Sequence, residues 1–419
     1  MSEHAAPIVK PADDPAFQLP SSLAAIRLPL LIGGLIALVA GWGLATFLNG
    51  SKVGMSAYLV AFIYSLTLAV GSLFFVIIQH LVRAGWSVVV RRVAELFMML
   101  LIPLAVLFLP ILASVLFGTS PLYVWTDETY AAGHGIPMAV WMEKLRWLDP
   151  FWFTVRSIVY FAVWIGLATF FYRGSVRQDE TGGASETDRM QYWSGPAAMA
   201  FSLTTSFAAF DWIMSLAPMW FSTMFGVYLF AGSILSAHCV ICLTSYLLQK
   251  TGAMRDEVTV EHYHDLGKLI FGFVFFWTYI SFSQYLLIWY GNIPEETEWF
   301  YHRQIGAWGV LSLVIIFFHF IIPFAGTMSR HIRRRPPLMA FWSAYLLIMH
   351  AVDIYWMIMP EAKTGADVGV NLFGAIGAAI CIAGMAALSV GCVLTIAQHV
   401  PVTPVRDPRF RESLAFENL

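Results

Sequence analysis

Ten stretches of this sequence are apolar for long enough to cross a lipid bilayer. They lie near 27–48, 55–80, 94–117, 151–173, 194–217, 220–249, 267–290, 304–327, 336–359 and 371–398. About 20 residues at a rise of ~1.5 Å each cover the ~30 Å of a hydrocarbon core. Inside hydrocarbon every backbone amide and carbonyl must be bonded within the protein, so each stretch is expected to be a helix. Composition agrees: 59% of the residues are apolar and only 12% charged, against roughly 25% charged in a soluble domain. The expected fold is an all-α polytopic membrane protein of about ten spans over 27–398, with terminal tails at 1–26 and 399–419. Four cysteines provide no disulfide framework, and a net charge of −2 says little about partners.

Orientation follows from the basic residues between spans. The side that holds both termini carries 18 Lys and Arg, the opposite side 5, which places both termini in the cytoplasm. The run Arg330-His331-Ile332-Arg333-Arg334-Arg335 is most simply part of this signal and calls for no nucleic-acid partner. Met1–Ile26 is polar, carries Asp13 and Asp14, and lacks the basic segment and short apolar core of a cleaved signal peptide. A loosely ordered tail is expected there. Pro103 and Pro110 should kink the third span. Gly374, Gly377 and Gly384 in the tenth suit close helix packing. The loop Gly118–Asp149 is rich in Trp and Tyr and contains an amphipathic stretch, Pro137–Trp147. It reads as a helix at headgroup level, as a docking surface for an external partner, or as both. Glu295, Glu296 and Glu298 add an acidic edge on the same face.

Ionisable groups inside spans are costly, at least ~2.5–3.5 kcal/mol each, and are therefore functional candidates. Asp211 and Asp353 each lie seven residues before a proline (Pro218, Pro360), and each is followed by a tryptophan, Trp212 and Trp356. This echo suggests a parallel repeat: spans two to five and six to nine as two four-helix bundles, with spans one and ten flanking them. His350 and Asp353 are three apart, so they share a helix face and are expected to interact as a pair suited to passing protons. The bland alternative is a structural pair that orients helices. Arg156 either snorkels to the interface or pairs with Asp211 or Asp353. His238 and His319, with His80 and Glu95, could line a wet path from the terminal side, or each could be an ordinary helix-contact group. His238-Cys239-Val240-Ile241-Cys242 has the letters of a c-type haem site in reversed order and is better read as small apolar packing. Histidine spacing within spans gives poor support to a b-type haem, and there is no P-loop, Rossmann fingerprint, HExxH or iron–sulfur run.

The stretches Phe210-Asp211-Trp212-Ile213-Met214-Ser215-Leu216, Trp220-Phe221-Ser222-Thr223-Met224-Phe225-Gly226-Val227-Tyr228 and Phe230-Ala231-Gly232-Ser233 resemble the F subunit of alternative complex III. His262-Tyr263-His264-Asp265-Leu266-Gly267-Lys268-Leu269 and the overall length fit the same subunit, a relative of the NrfD-like membrane anchors of polysulfide-reductase type. The resemblance implies an inner-membrane subunit of a complex that oxidises quinol and reduces a cytochrome c or a similar acceptor. It further implies two four-helix bundles and no redox cofactor in this chain, with haems and iron–sulfur clusters in partner subunits. Those partners would be a homologous membrane subunit and periplasmic cytochrome and iron–sulfur subunits, with no nucleic acid. The residues that could take a proton-path role are Asp211, His238, His350 and Asp353, with Arg156 and His319 beside them. Two alternatives stay open: a quinol-binding subunit of the same complex, and a stand-alone secondary transporter.

Overall fold

A computed structural model describes residues 11, 14–127, 129–362 and 372–418. Lys10, Asp13, Lys363 and Asn371 of the sequence argument lie outside these. Ten helices in it are long and apolar enough to cross a membrane, and among the described residues there is no strand. They are α1 (Ser21–Asn49), α2 (Ser51–Leu81), α3 (Val88–Leu116), α4 (Pro150–Thr181), α5 (Ala184–Trp212), α6 (Phe225–Lys250), α7 (Val260–Gly291), α8 (Gly306–Met328), α9 (Pro336–Ile358) and α10 (Leu372–Ala397). Several run one to two turns beyond their apolar stretches, because hydropathy measures the width of hydrocarbon rather than the length of a helix. α3 is broken at Met99–Leu100 and at Phe108, next to the two prolines expected to kink it.

The packing is that of two closed four-helix rings, α2–α5 and α6–α9, standing back to back. α2 and α6 form the shared wall and are the most enclosed spans. They meet at Gly71, where a Cβ would fall 2.0 Å from the Ser233 carbonyl oxygen, so only glycine permits the crossing. α1 and α10 pair outside the rings and lean on α2. Their seam is backbone against backbone: a Cβ at Gly34 would sit 2.7 Å from the Leu388 amide nitrogen, and one at Gly384 2.5 Å from that of Leu38. Gly377 and Gly384, read from sequence as packing residues, serve that purpose.

The face opposite the termini is closed by two lids. Over the first ring, the loop after α3 carries a helix at Met138–Trp147. Trp125 and Trp141 are buried and Tyr123 is wholly enclosed, donating to the Trp212 carbonyl at 3.0 Å. The helix itself is anchored through Trp141 and otherwise leaves Met138, Val140 and Met142 exposed, an apolar surface compatible with the expected position at headgroup level. Burial first, and then the Asp211 charge, push the Tyr123 phenol well above its ordinary range, so it stays a donor. Over the second ring, a helix at Pro294–His302 stacks Trp299 on Trp220 with ring centroids 4.4 Å apart. Arg303, which the sequence argument counted only as a topology charge, is fully buried behind it. Its guanidinium donates to the carbonyls of Trp299 (2.8 Å) and Met357 (2.9 Å) and to Glu361 (3.1 Å). Burial lowers Arg303 to about 10, partly offset by Glu361, so it remains cationic at neutral pH.

The expectation of a loose N-terminal tail fails for residues 14–26. Phe17 is buried against Phe410 at 6.1 Å, and α1 begins at Ser21 rather than near 27. The Phe17 carbonyl accepts from the Val402 amide at 2.8 Å, and that of Ala16 from the Met254 amide at 3.0 Å. The tail holds because two apolar rings and several backbone bonds outweigh its polar composition. Beneath it Arg91 pairs with Asp407 (2.6 Å) and Glu95 (3.1 Å), and Arg92 pairs with Glu95 (3.2 Å) and Asp179.

Candidate functional site

The second ring holds a buried polar cluster that reaches from the middle of its helices toward the ends opposite the termini. Asp353 on α9 is 1% exposed and accepts from the Tyr228 hydroxyl of α6 and from Trp277 Nε1 of α7 at 3.2 Å. His350, one turn earlier, turns its Nε2 to Thr67 Oγ1 of α2 at 2.8 Å. The Thr67 hydroxyl has a single proton, and it goes to the Tyr64 carbonyl at 2.7 Å. His350 Nε2 must therefore be the donor, which leaves Nδ1 as a lone-pair acceptor. That Nδ1 is buried and has no hydrogen-bond partner among the described residues. The ring fits only because residue 232 is glycine: a Cβ there would lie 2.9 Å from His350 Cε1 and 3.3 Å from Nδ1.

His319 completes the cluster from α8. Its ring stands edge-on to Trp277, centroids 4.0 Å apart, and it is within electrostatic reach of His350. It is fully buried, and neither of its nitrogens has a partner among the described residues. The backbone around it is a π-turn, Ile315–Ile321, in which the Ile322 amide bonds back five residues to Phe317. The cause is in the sequence: Pro323 has no amide hydrogen to offer the His319 carbonyl four residues earlier, so the helix widens there. Such turns are frequent at functional sites. A buried polar atom without a partner costs ~1–3 kcal/mol. Here three imidazole nitrogens carry that cost within one cluster.

The sequence pair His350–Asp353 needs correction. The two share a face, as expected, but do not bond to each other: Asp353 is taken up by α6 and α7 and His350 by α2. Nor does His238 join them. Its Nδ1 donates to the Ile234 carbonyl at 2.7 Å and its ring stacks on Phe273 at 5.1 Å, the arrangement of a helix-contact histidine. His80 stacks on Phe171, and Glu95 is held by Arg91 and Arg92.

Asp211 lies in different surroundings from its sequence counterpart. It is wholly buried and accepts four bonds: Arg156 Nε at 2.7 Å, Arg156 Nη2 at 3.0 Å, Tyr160 Oη at 2.7 Å and Trp147 Nε1 at 2.8 Å. Arg156 pairs with Asp211 rather than Asp353; it also donates to the Trp147 carbonyl at 2.8 Å and lies 4.2 Å from that ring's centroid. The carboxylate thereby ties the lid helix to α4 and α5. Tyr160, Trp147, Tyr228, Trp277 and Thr67 were not singled out in the sequence. Only Tyr160 had a local signal, four residues after Arg156 on the same helix face.

Among the described residues no group of three His, Cys, Asp or Glu side chains is placed to hold a metal ion. No protein-family model matches the sequence, and no curated protein matches it.

Proposed function

We propose that this chain is an integral membrane subunit of a respiratory quinol-oxidising complex, of the F-subunit type of alternative complex III. In this proposal it has no electron-transfer centre, packs against a homologous membrane subunit, and holds cytochrome and iron–sulfur subunits on its periplasmic face. Its termini lie in the cytoplasm, and its second ring relays protons.

One observation carries the proposal furthest. Two of the residues that bear the resemblance also shape the buried cluster: Tyr228 bonds Asp353, and Gly232 makes the space for His350. A four-helix ring closed on an aspartate with no ion-pair partner among the described residues and two under-bonded imidazoles is a poor anchor and a reasonable proton relay. Asp353 can hold a proton between Tyr228 and Trp277, and the free lone pair of His350 Nδ1 can take one. Passage between them needs a side-chain rotation or bridging water. Asp211, saturated by a bidentate arginine and two further donors, takes the structural role in this account. The test is to purify the native assembly from membranes through a tag on this chain and identify what accompanies it. Co-purification with haem- and iron–sulfur-bearing subunits and quinol-dependent reduction of a cytochrome are expected. A chain that purifies alone and transports a solute would overturn the proposal in favour of a secondary transporter.

A further inference from the structure

The run Arg330–Arg335 contains more positive charge than the fold uses. Arg334 is paired with Glu261, and nearby Lys268 with Asp265. Arg330, Arg333 and Arg335 have no ion-pair partner among the described residues. Arg333 is the informative member. Its Cβ and Cγ pack on α7 so closely that a Cβ at Gly267 would fall 2.9 Å from its Cγ. Its Nε is buried without a hydrogen-bond partner, as is Nδ1 of His264, one turn before Gly267. Partial burial lowers Arg333 with no anion to offset it. Half-buried, packed on α7 and without an ion pair among the described residues, this guanidinium has no counter-charge within the fold.

What lies next to it bears on the kind of anion it would take. The Arg333 guanidinium stands 5.6 Å from the ring of Phe271. Phe271 stacks on Phe324 at 4.9 Å, and Phe275 follows at 6.3 Å from Phe324. These rings form a ladder in the crease between α7 and α8, running from the arginines into the apolar zone. Phe275 is more than half exposed, and Met328 and Ile321 of α8 are also open. Charge at the interface continuous with an apolar crease matches a molecule whose anionic head is joined to hydrocarbon. We infer that Arg330 and Arg333, supported by Arg335, bind the phosphate of an anionic phospholipid whose acyl chain lies along Phe271, Phe324 and Phe275. Guanidinium forks suit a phosphate diester in two-point contact, and basic pockets between spans are the usual form of such sites.

The experiment uses the full chain in detergent, stripped of lipid. Binding of dioleoyl phosphatidylglycerol and of dioleoyl phosphatidylcholine is then followed by native mass spectrometry. At about fivefold per interfacial arginine, the double variant R330Q/R333Q should lose phosphatidylglycerol affinity roughly 25-fold, with phosphatidylcholine unaffected. Because these arginines also help set topology, R333K is the second variant. It keeps the charge, removes the fork, and should still weaken phosphatidylglycerol several-fold. Equal retention of the two lipids by the unaltered chain, or unchanged retention in both variants, would overturn the inference. Displacement of the lipid by millimolar inorganic phosphate would do the same, since it would mark a site for a soluble anion.

Discussion

Replacing Asp211 with asparagine separates a structural anchor from a proton carrier. The side chain keeps its size and one carbonyl acceptor but loses the charge that faces Arg156. In the structure Asp211 is wholly buried and takes two of its four bonds from that guanidinium, at 2.7 and 3.0 Å. Breaking a buried pair by removing one partner costs about 3–5 kcal/mol. The Arg156 side chain is 17% exposed, so water recovers part of its solvation and the lower end, about 3 kcal/mol, is expected. R156Q should cost a similar amount, because Asp211 is then left with Tyr160 and Trp147 as its only donors. D211N/R156Q removes both charges together, so its loss should fall short of the sum by about 2 kcal/mol, the coupling of the pair. The assay is reversible unfolding in mixed micelles, with the four proteins compared as a double-mutant cycle. A D211N protein within about 0.5 kcal/mol of the parent and a coupling near zero would refute the structural assignment. Asp211 would then return to the proton path.

Three further outcomes follow from the geometry. Gly384→Val places side-chain carbons where the Leu38 amide nitrogen already sits, so α1 should detach from α10; the readout is accelerated proteolysis between Asn49 and Ser51, and an unchanged digestion pattern would contradict the backbone seam. Pro323→Ala restores an amide donor four residues after His319 and should narrow the π-turn, turning His319 away from Trp277; proton movement should fall while the fold is unchanged or slightly more stable, and unaltered proton movement would deny the turn a role. A reporter fused after the last residue should read cytoplasm and one inserted at Gly133 periplasm, and reversed signals would overturn the orientation drawn from the 18-to-5 charge count.

The spans, their number and the two-ring plan were legible because hydrocarbon imposes a single local rule, long apolar helices, and because Asp211 and Asp353 repeat at matched positions. The partners of those aspartates were not legible. Tyr228 lies 125 residues from Asp353, Trp277 lies 76 away, and Thr67 lies 283 from His350. Contacts of that kind depend on which faces the helices turn to one another, which periodicity within a single span does not determine. The same limit explains the His350–Asp353 pair: a shared face allows contact, but neighbouring helices offered each side chain a better partner. Arg303 entered the sequence reading only as one of the five basic residues opposite the termini, yet two tryptophans and two backbone carbonyls enclose it. For His319 a signal was present, in Pro323 four residues later. The docked tails escaped notice because Phe17 and Phe410 are single apolar residues in polar segments, and only their meeting makes them a core.

The proton relay in the second ring is tested most directly by the proton-to-electron ratio of the assembled complex in sealed proteoliposomes, with Asp353→Asn compared to the parent. Asparagine preserves shape: its one carbonyl can accept from Trp277 Nε1 while its amide donates to the Tyr228 oxygen, and it carries no titratable acid. The account predicts that the complex assembles with its full redox complement, that quinol oxidation continues, and that fewer protons move per electron. An unchanged ratio in D353N would contradict the relay and leave the cluster a structural polar contact; a collapse of quinol turnover with weakened quinol affinity would contradict it in the other direction, by making the cluster a quinol site.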